Sequence, residues 1–199
     1  MMKKWSQLTL MTFLVIGAIA VLASPATAAT CFGVATNMSA TTGNDVINGN
    51  SAINVVNGLG GNDVINGGSN NDILCGGPGN DDVNGDSGFD TIGGGGGSDD
   101  MDGGTESDTI HVNDTGVSAF GGSGNDLIHG SNASDSLLNG GLGNDTVNGN
   151  NGNDFLAGGG GVDTLNGGGG FDTCIGGSNY NSCEDIIVIE PPERPPLFP

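Results

Sequence analysis

Gly76-Gly77-Pro78-Gly79-Asn80-Asp81 is followed by Asp82-Val83-Asn84, and this nine-residue frame returns along most of the chain. Written G-G-x-G-x-D-x-U-x, with U apolar, its six-residue turn matches fully at Gly76–Asp81, Gly94–Asp99, Gly121–Asp126, Gly140–Asp145, Gly158–Asp163 and Gly167–Asp172. Near matches fill the gaps. Leu59, Asp86 and Asn150 replace the second glycine of their turns, and Asn70 and Glu106 replace the last. Aspartate therefore recurs at Asp63, Asp72, Asp81, Asp90, Asp99 and Asp108, at Asp126 and Asp135, and at Asp145, Asp154, Asp163 and Asp172. A fixed short period of this kind marks a solenoid.

The spacing has a mechanical reading. Glycines allow positive φ and close backbone approach, so each turn curls with its carbonyls aimed inward. The three residues after each aspartate form a short strand whose middle side chain faces the core. The expected inward set is Ile47, Val56, Ile65, Leu74, Val83, Ile92, Met101, Ile110, Ala119, Ile128, Leu137, Val147, Leu156, Leu165, Cys174 and Cys183. No charge falls among them. Two units make one coil of eighteen residues with a strand on each side, so the expected fold class is all-β: a parallel β-roll, a two-sheet β-solenoid of roughly eight coils.

An extra residue between Asp135 and Asp145 predicts a local bulge near Asn139. Val117 and Asn54 stand where the frame calls for aspartate, and the turn 130–134 lacks most of its glycines. The defects at Val117 and at the turn 130–134 separate two blocks, 58–111 and 121–175. The register survives both, which favours one continuous solenoid over two domains.

The chain opens with Lys3 and Lys4, an apolar run from Leu8 to Ala23, and the A-x-A pattern Ala26-Thr27-Ala28. This predicts a secretory signal over 1–28, cut after Ala28 or Ala29; a retained membrane anchor is the alternative, for which the run is a little short. The domain reading is a signal over 1–28, an N-terminal cap over 29–42, the roll over 43–184, and an apolar strand with a Pro-rich tail over 185–199.

Removal of the signal leaves Arg194 as the one positive side chain against 23 acidic residues, a formal charge of 1 − 23 = −22. Phosphate recognition needs a basic face, so nucleic acid is excluded as a partner. Such acidity also suits a disordered chain, but disorder does not require spacing. Divalent cations are the natural neutraliser. Cys31, Cys75, Cys174 and Cys183 form an even set behind a signal, which favours disulfides. Three pairings are open to four cysteines, and free buried thiols are the alternative. Cys174 and Cys183 both fall on inward positions of opposite strands, so register favours Cys174–Cys183 with Cys31–Cys75. The nine-residue loop so closed would contribute ~2–3 kcal/mol.

Calcium takes six to eight oxygen ligands from carboxylates and carbonyls. Aspartates of one row lie on adjacent coils about 4.8 Å apart, so successive turns form an oxygen-lined slot. The motifs Gly76-Gly77-Pro78-Gly79-Asn80-Asp81 and Gly121-Gly122-Ser123-Gly124-Asn125-Asp126 resemble the repeat-in-toxin (RTX), or haemolysin-type, calcium-binding repeat family. The likeness covers about residues 43–176. It implies calcium ions between successive turns on each edge, held by turn carbonyls and by Asp63, Asp72, Asp81, Asp90, Asp99, Asp108, Asp126, Asp145, Asp154, Asp163 and Asp172. Slots beside Val117 and Asn54 depart from the pattern, and turns with Asn70, Glu106 or Ala133 at a glycine position are weaker. The family's toxins join such repeats to another module. This chain reads instead as a short secreted protein made almost wholly of repeats, and toxin activity is not carried over.

Other readings are weaker. Stacked carboxylates match the ~5 Å separation of a retaining glycosidase, but the geometry repeats along the whole edge without a distinct cleft, and neither H-E-x-x-H nor G-x-S-x-G is present. The expectation is not an enzyme. His111 and His129 fall at equivalent outward positions, as a solvent-facing pair in preference to a transition-metal site. Outward rows Asn48/Asn66/Asn84 and Thr146/Asn148 with Thr164/Asn166 form polar ladders, and a calcium-dependent adhesion or carbohydrate-binding module with a cell-surface or glycan partner is the alternative function. Phe120, Leu138, Phe155, Ala157 and Ile175 are expected outward on one sheet, covered by the run Ile186-Ile187-Val188-Ile189. No membrane insertion is expected of the mature chain.

Overall fold

The computed structural model describes residues 30–38 and 40–187. The expected signal over 1–28, and Val188, Ile189 and the Pro-rich tail, lie outside the described residues.

A small antiparallel hairpin comes first, β1 (Thr30–Cys31) with β2 (Val34–Ala35). The roll follows as β3 (Val46–Asn50), β4 (Val55–Asn57), β5 (Val64–Ser69), β6 (Ile73–Pro78), β7 (Asp82–Ser87), β8 (Thr91–Gly96), β9 (Asp100–Thr105) and β10 (Thr109–His111). It continues as β11 (Ser118–Ser123), β12 (Leu127–His129), β13 (Leu137–Leu142), β14 (Thr146–Asn151), β15 (Phe155–Gly160) and β16 (Thr164–Gly169). It ends as β17 (Thr173–Ile175), β18 (Asn179–Asn181) and β19 (Asp185–Ile187). Odd strands from β3 make a nine-stranded sheet and even strands from β4 an eight-stranded one, with neighbours in each sheet parallel. The fold is a two-sheet parallel β-roll of about eight coils. Parallel strands need a long crossover, and each sheet supplies it for the other.

The register is eighteen residues through Ile47↔Ile65 and Val83↔Met101, so equivalent side chains stack directly. One aliphatic side chain per strand enters a narrow core: Ile65, Leu74, Val83, Ile92, Met101, Ile110 and their counterparts are fully buried. Both sheets run unbroken through Val117 and the glycine-poor turn.

The turn glycines adopt the conformations that the frame demands. Gly77 has φ +107, and a Cβ there would press on the Leu59 carbonyl oxygen. The five departures from glycine keep the left-handed backbone: Leu59, Asn70, Asp86, Glu106 and Asn150 have φ between 67° and 75°. The turn geometry therefore belongs to the roll as a whole and is imposed on side chains that disfavour it.

Four expectations are corrected. Ala119 pairs with Leu138, so Leu138 is the buried residue of β13 and Leu137 lies half-buried on the outer face. The extra residue is Ser136, whose N–H donates to the Val117 carbonyl, and not one near Asn139. It is absorbed between aspartate and strand, which shifts the inward position by one. Cys183 packs against the core as expected but lies in a turn, not on a strand. Tyr180 takes the position paired with Leu165, and Ile186 the position paired with Cys174, because the last coil is shortened. Finally, β19 does not cover the outer apolar row. It extends the sheet edge beside β17, and Ile186 and Ile187 stay about half exposed.

Two disulfides fasten the ends. Cys31 is bonded to Cys75 and joins the hairpin to the outer face of β6. Cys174 is bonded to Cys183 and ties β17 to the closing turn. Met38 and Ala40 pack on the first coil, and Asn37 bonds both ways with the backbone of Val55 at the open edge of β4.

Candidate metal centres

Each motif aspartate lies at the foot of a strand, where the turn re-enters the sheet. Its neighbours stack at the coil spacing, so carboxylates line both edges of the roll. One oxygen of each is used by the backbone. The N–H of Asp63 donates to Oδ1 of Asp81, that of Asp72 to Asp90, that of Asp90 to Asp108, and that of Asp145 to Asp163, at 2.7–3.0 Å. The bond survives the register shift, since Asp126 donates to Oδ1 of Asp145 across nineteen residues.

The second oxygen is left over. Oδ2 of Asp63, Asp72, Asp81, Asp90, Asp99, Asp108, Asp126, Asp145, Asp154, Asp163 and Asp172 is buried and without a hydrogen-bond partner. These aspartates are at most 3% exposed. A buried unpaired carboxylate oxygen is costly, and native proteins rarely tolerate one; here the arrangement occurs eleven times. Each such oxygen faces the first glycine of its own turn. A Cβ on Gly58 would collide with Asp63 Oδ2 and the Gly76 carbonyl oxygen together, and one on Gly85 with Asp90 Oδ2 and the Gly103 carbonyl. Carboxylate oxygen and next-coil carbonyl thus converge on a space kept open by glycine. This is an all-oxygen donor set of the kind hard divalent cations take, and the residues fit calcium.

Three related positions are closed by protein groups. The Asn54 amide nitrogen donates to the Gly67 carbonyl at 3.0 Å and to Asp72 Oδ1 at 3.1 Å, filling its own slot. Oδ2 of Asp135 accepts the Ser131 N–H at 2.9 Å, and Oδ1 accepts the Ser131 hydroxyl at 3.0 Å. Oδ2 of Asp45 accepts from Thr41 N–H and Oγ1. Val117 is a buried apolar member of the same row.

The carboxylates bear on one another. Burial, opposed by the backbone hydrogen bond and reinforced by nearby carboxylates, raises Asp81, Asp90, Asp126 and Asp154 to about 6. Burial raises Asp108 to about 7, with Asp90 and Asp126 as the charged neighbours. Asp72, Asp99 and Asp145 are raised in the same way. Without a cation, these eight carboxylates resist ionisation.

The residue before each aspartate forms a ladder that sequence reading missed. The N–H of Asn62 donates to Asn44 Oδ1, Asn80 to Asn62, Ser98 to Asn80, and Val162 to Asn144, at 2.9–3.0 Å. Its signal was present as repeated Asn before Asp, and it fixes the spacing of successive turns. His111 and His129 stack with ring centroids 5.2 Å apart, and Phe32 tilts onto His111; burial, then His129, lowers the His111 pKa. The pair is half-buried and not simply solvent-facing. Among the described residues no three His, Cys, Asp or Glu side chains converge on one point, as expected where most donors are backbone carbonyls.

No curated protein matches the chain. The family model for the RTX calcium-binding nonapeptide repeat matches four times, at residues 39–74, 76–110, 118–141 and 139–174. These segments take in all of the buried unpaired aspartates, and the chain belongs to the RTX calcium-binding nonapeptide repeat family.

Proposed function

We propose that the chain is a secreted calcium-binding β-roll protein with a structural or surface-interaction role, whose folding is coupled to calcium. The observation that carries this reading is the set of buried, unpartnered Oδ2 atoms along both edges. A bound calcium ion supplies positive charge and six to eight oxygen-coordination positions. Asp63, Asp72, Asp81, Asp90, Asp99, Asp108, Asp126, Asp145, Asp154, Asp163 and Asp172 each present one oxygen to that charge, and the carbonyl of the next turn's first glycine presents another where the motif is intact. The other carboxylate oxygen stays on the backbone, which orients the pair. Repulsion along the rows is relieved only when charge is supplied, so site and fold form together.

The apolar run and Ala26-Thr27-Ala28 support export with cleavage after Ala28, and the two disulfides are compatible with an oxidising compartment. Bonded carboxylates at Asp135 and Asp45 support leaving these two out of the metal set. Equilibrium dialysis of the processed protein tests the proposal: several calcium ions retained per chain are expected, and none retained at millimolar calcium would overturn it. N-terminal sequencing of protein recovered from culture medium tests the cleavage.

A further inference from the structure

The last coil does not follow the nonapeptide frame. The family match ends at residue 174, and the segment beyond it has no G-G-x-G-x-D turn. The aspartate row that passes through Asp135, Asp154 and Asp172 nevertheless continues for one more step. The N–H of Asp172 donates at 2.8 Å to Oε2 of Glu184. Asp154 makes the corresponding bond to Asp172 Oδ1, at 3.0 Å and across eighteen residues; here the separation is twelve. The shortening brings the carbonyl of Ser182 into the place of the missing glycine carbonyl. A Cβ on Gly167 would collide with Ser182 O and approach Asp172 Oδ2 to 2.5 Å. Asp172 is 1% exposed, and its Oδ2 has no partner and points into this space. The Cys174–Cys183 disulfide holds the turn between Ser182 and Glu184 against the core.

We propose that this turn builds a terminal calcium site outside the nonapeptide motif, in which Asp172, the Ser182 carbonyl and Glu184 replace the Asp–Gly–Asp set of a regular slot. The inference rests on the calcium reading of the regular slots and adds a ligand that the repeat frame does not contain. Glu184 reaches the row because its side chain is one methylene longer than aspartate, which compensates for a turn six residues shorter. The disulfide takes over the positioning that stacked glycine turns supply elsewhere. The carboxylate row is thereby closed with a charged acceptor in place of an open end.

Glu184→Gln tests this, because glutamine retains an acceptor for the Asp172 N–H and removes only the charge. Calcium bound per folded chain is measured by equilibrium dialysis for wild type, Glu184→Gln, Asp172→Asn, the double variant, and Asp185→Asn as a neighbouring charge control. One ion fewer is expected in Glu184→Gln, at least one fewer in Asp172→Asn, which also lines the slot of Asp154, no further loss in the double variant beyond Asp172→Asn, and no change in Asp185→Asn. An unchanged count in Glu184→Gln while wild type binds several ions overturns the terminal site and leaves the regular slots standing. Wild type binding no ion removes the calcium reading itself. Loss of more than one ion in Glu184→Gln, with faster hydrogen exchange in β15 and β17, overturns the site also, because it makes Glu184 a cap of the fold.

Discussion

Asp81 and Asp99 lie on adjacent coils and share one hydrogen bond, from the Asp81 N–H to Asp99 Oδ1 at 3.0 Å, while Oδ2 of both is buried without a partner. The bond locks one coil onto the next, and the unpaired oxygens are its by-product: a carboxylate turned to hold the backbone must bury its other oxygen in the turn. The same atoms therefore fix the register and create the demand for a cation.

The first consequence is calcium-dependent structure. Eleven buried unpaired oxygens, each costing on the order of several kcal/mol if ionised, exceed the ~5–15 kcal/mol net stability of a typical domain. The metal-free chain at pH 7.5 is expected to lose most of its β signal in far-UV circular dichroism. Addition of calcium should restore it, with a midpoint on the order of 10⁻⁴–10⁻³ M as for extracellular calcium modules. A spectrum that does not respond to chelator would show that the core alone sustains the roll.

Acid should act as a partial substitute for calcium. The raised carboxylates have folded pKa values of about 6 for Asp81, Asp90, Asp126 and Asp154 and about 7 for Asp108, against ~3.9 for unfolded aspartate. The folded state thus binds more protons than the unfolded one between these values, so stability falls as pH rises. That contribution is fully present below ~3.9 and is lost as pH passes through the 6–7 region. Metal-depleted protein should therefore show more β signal in far-UV circular dichroism at pH 4.5 than at pH 8. A β signal that is unchanged or weaker at pH 4.5 contradicts the assigned burial.

Much of this was legible before any coordinates. Strand position, two sheets and the inward column follow from a period that gives each residue one role per coil. The failures lie where the period breaks. Ser136 and Asn139 are equivalent in sequence as sites for an inserted residue, because only the pairing of Ser118 with Leu137 shows that the strand resumes at Leu137 and buries Leu138. Counting nine from Cys174 puts Cys183 on a strand, but the closing coil shortens, so Cys183 packs on the core from a turn while Tyr180 and Ile186 take the paired strand positions. The Asn62–Asn80 ladder was overlooked because asparagine in a turn reads as backbone tolerance, whereas here its side chain bonds the next coil.

Glycine at the first turn position should be required for binding, and glycine at the third should not. A Cβ on Gly76 would crowd Asp81 Oδ2 and lie 2.6 Å from the Gly94 carbonyl oxygen. A Cβ on Gly96 would meet nothing closer than 3.8 Å, and Gly96 lies outside the left-handed region. Gly76→Ala is expected to lower the calcium count by one and to cost ~1–3 kcal/mol, as overpacking does. Gly96→Ala should change stability by no more than ~0.5 kcal/mol. Calorimetric calcium titration and thermal melts of the two variants decide this, and equal behaviour would show that the space beside Asp81 does not hold the ion.

Asp135 and Asp145 provide the sharpest separation of register from metal binding. Both donate their N–H to the next carboxylate of their row, Asp154 and Asp163. Asp135 spends both oxygens on Ser131, while Oδ2 of Asp145 has no partner. The Ser131 hydroxyl and N–H thus stand where a cation is needed elsewhere, and they do so at the glycine-poor turn. Asp145→Asn should bind fewer calcium ions than wild type. Asp135→Asn should bind the same number and lose stability only through its bonds to Ser131, ~1–3 kcal/mol for charged hydrogen-bond partners. Ion counts by equilibrium dialysis, read beside urea midpoints in saturating calcium, distinguish the two. A lower count in Asp135→Asn would mean that the serine bonds give way to calcium and that this slot belongs to the metal rows after all.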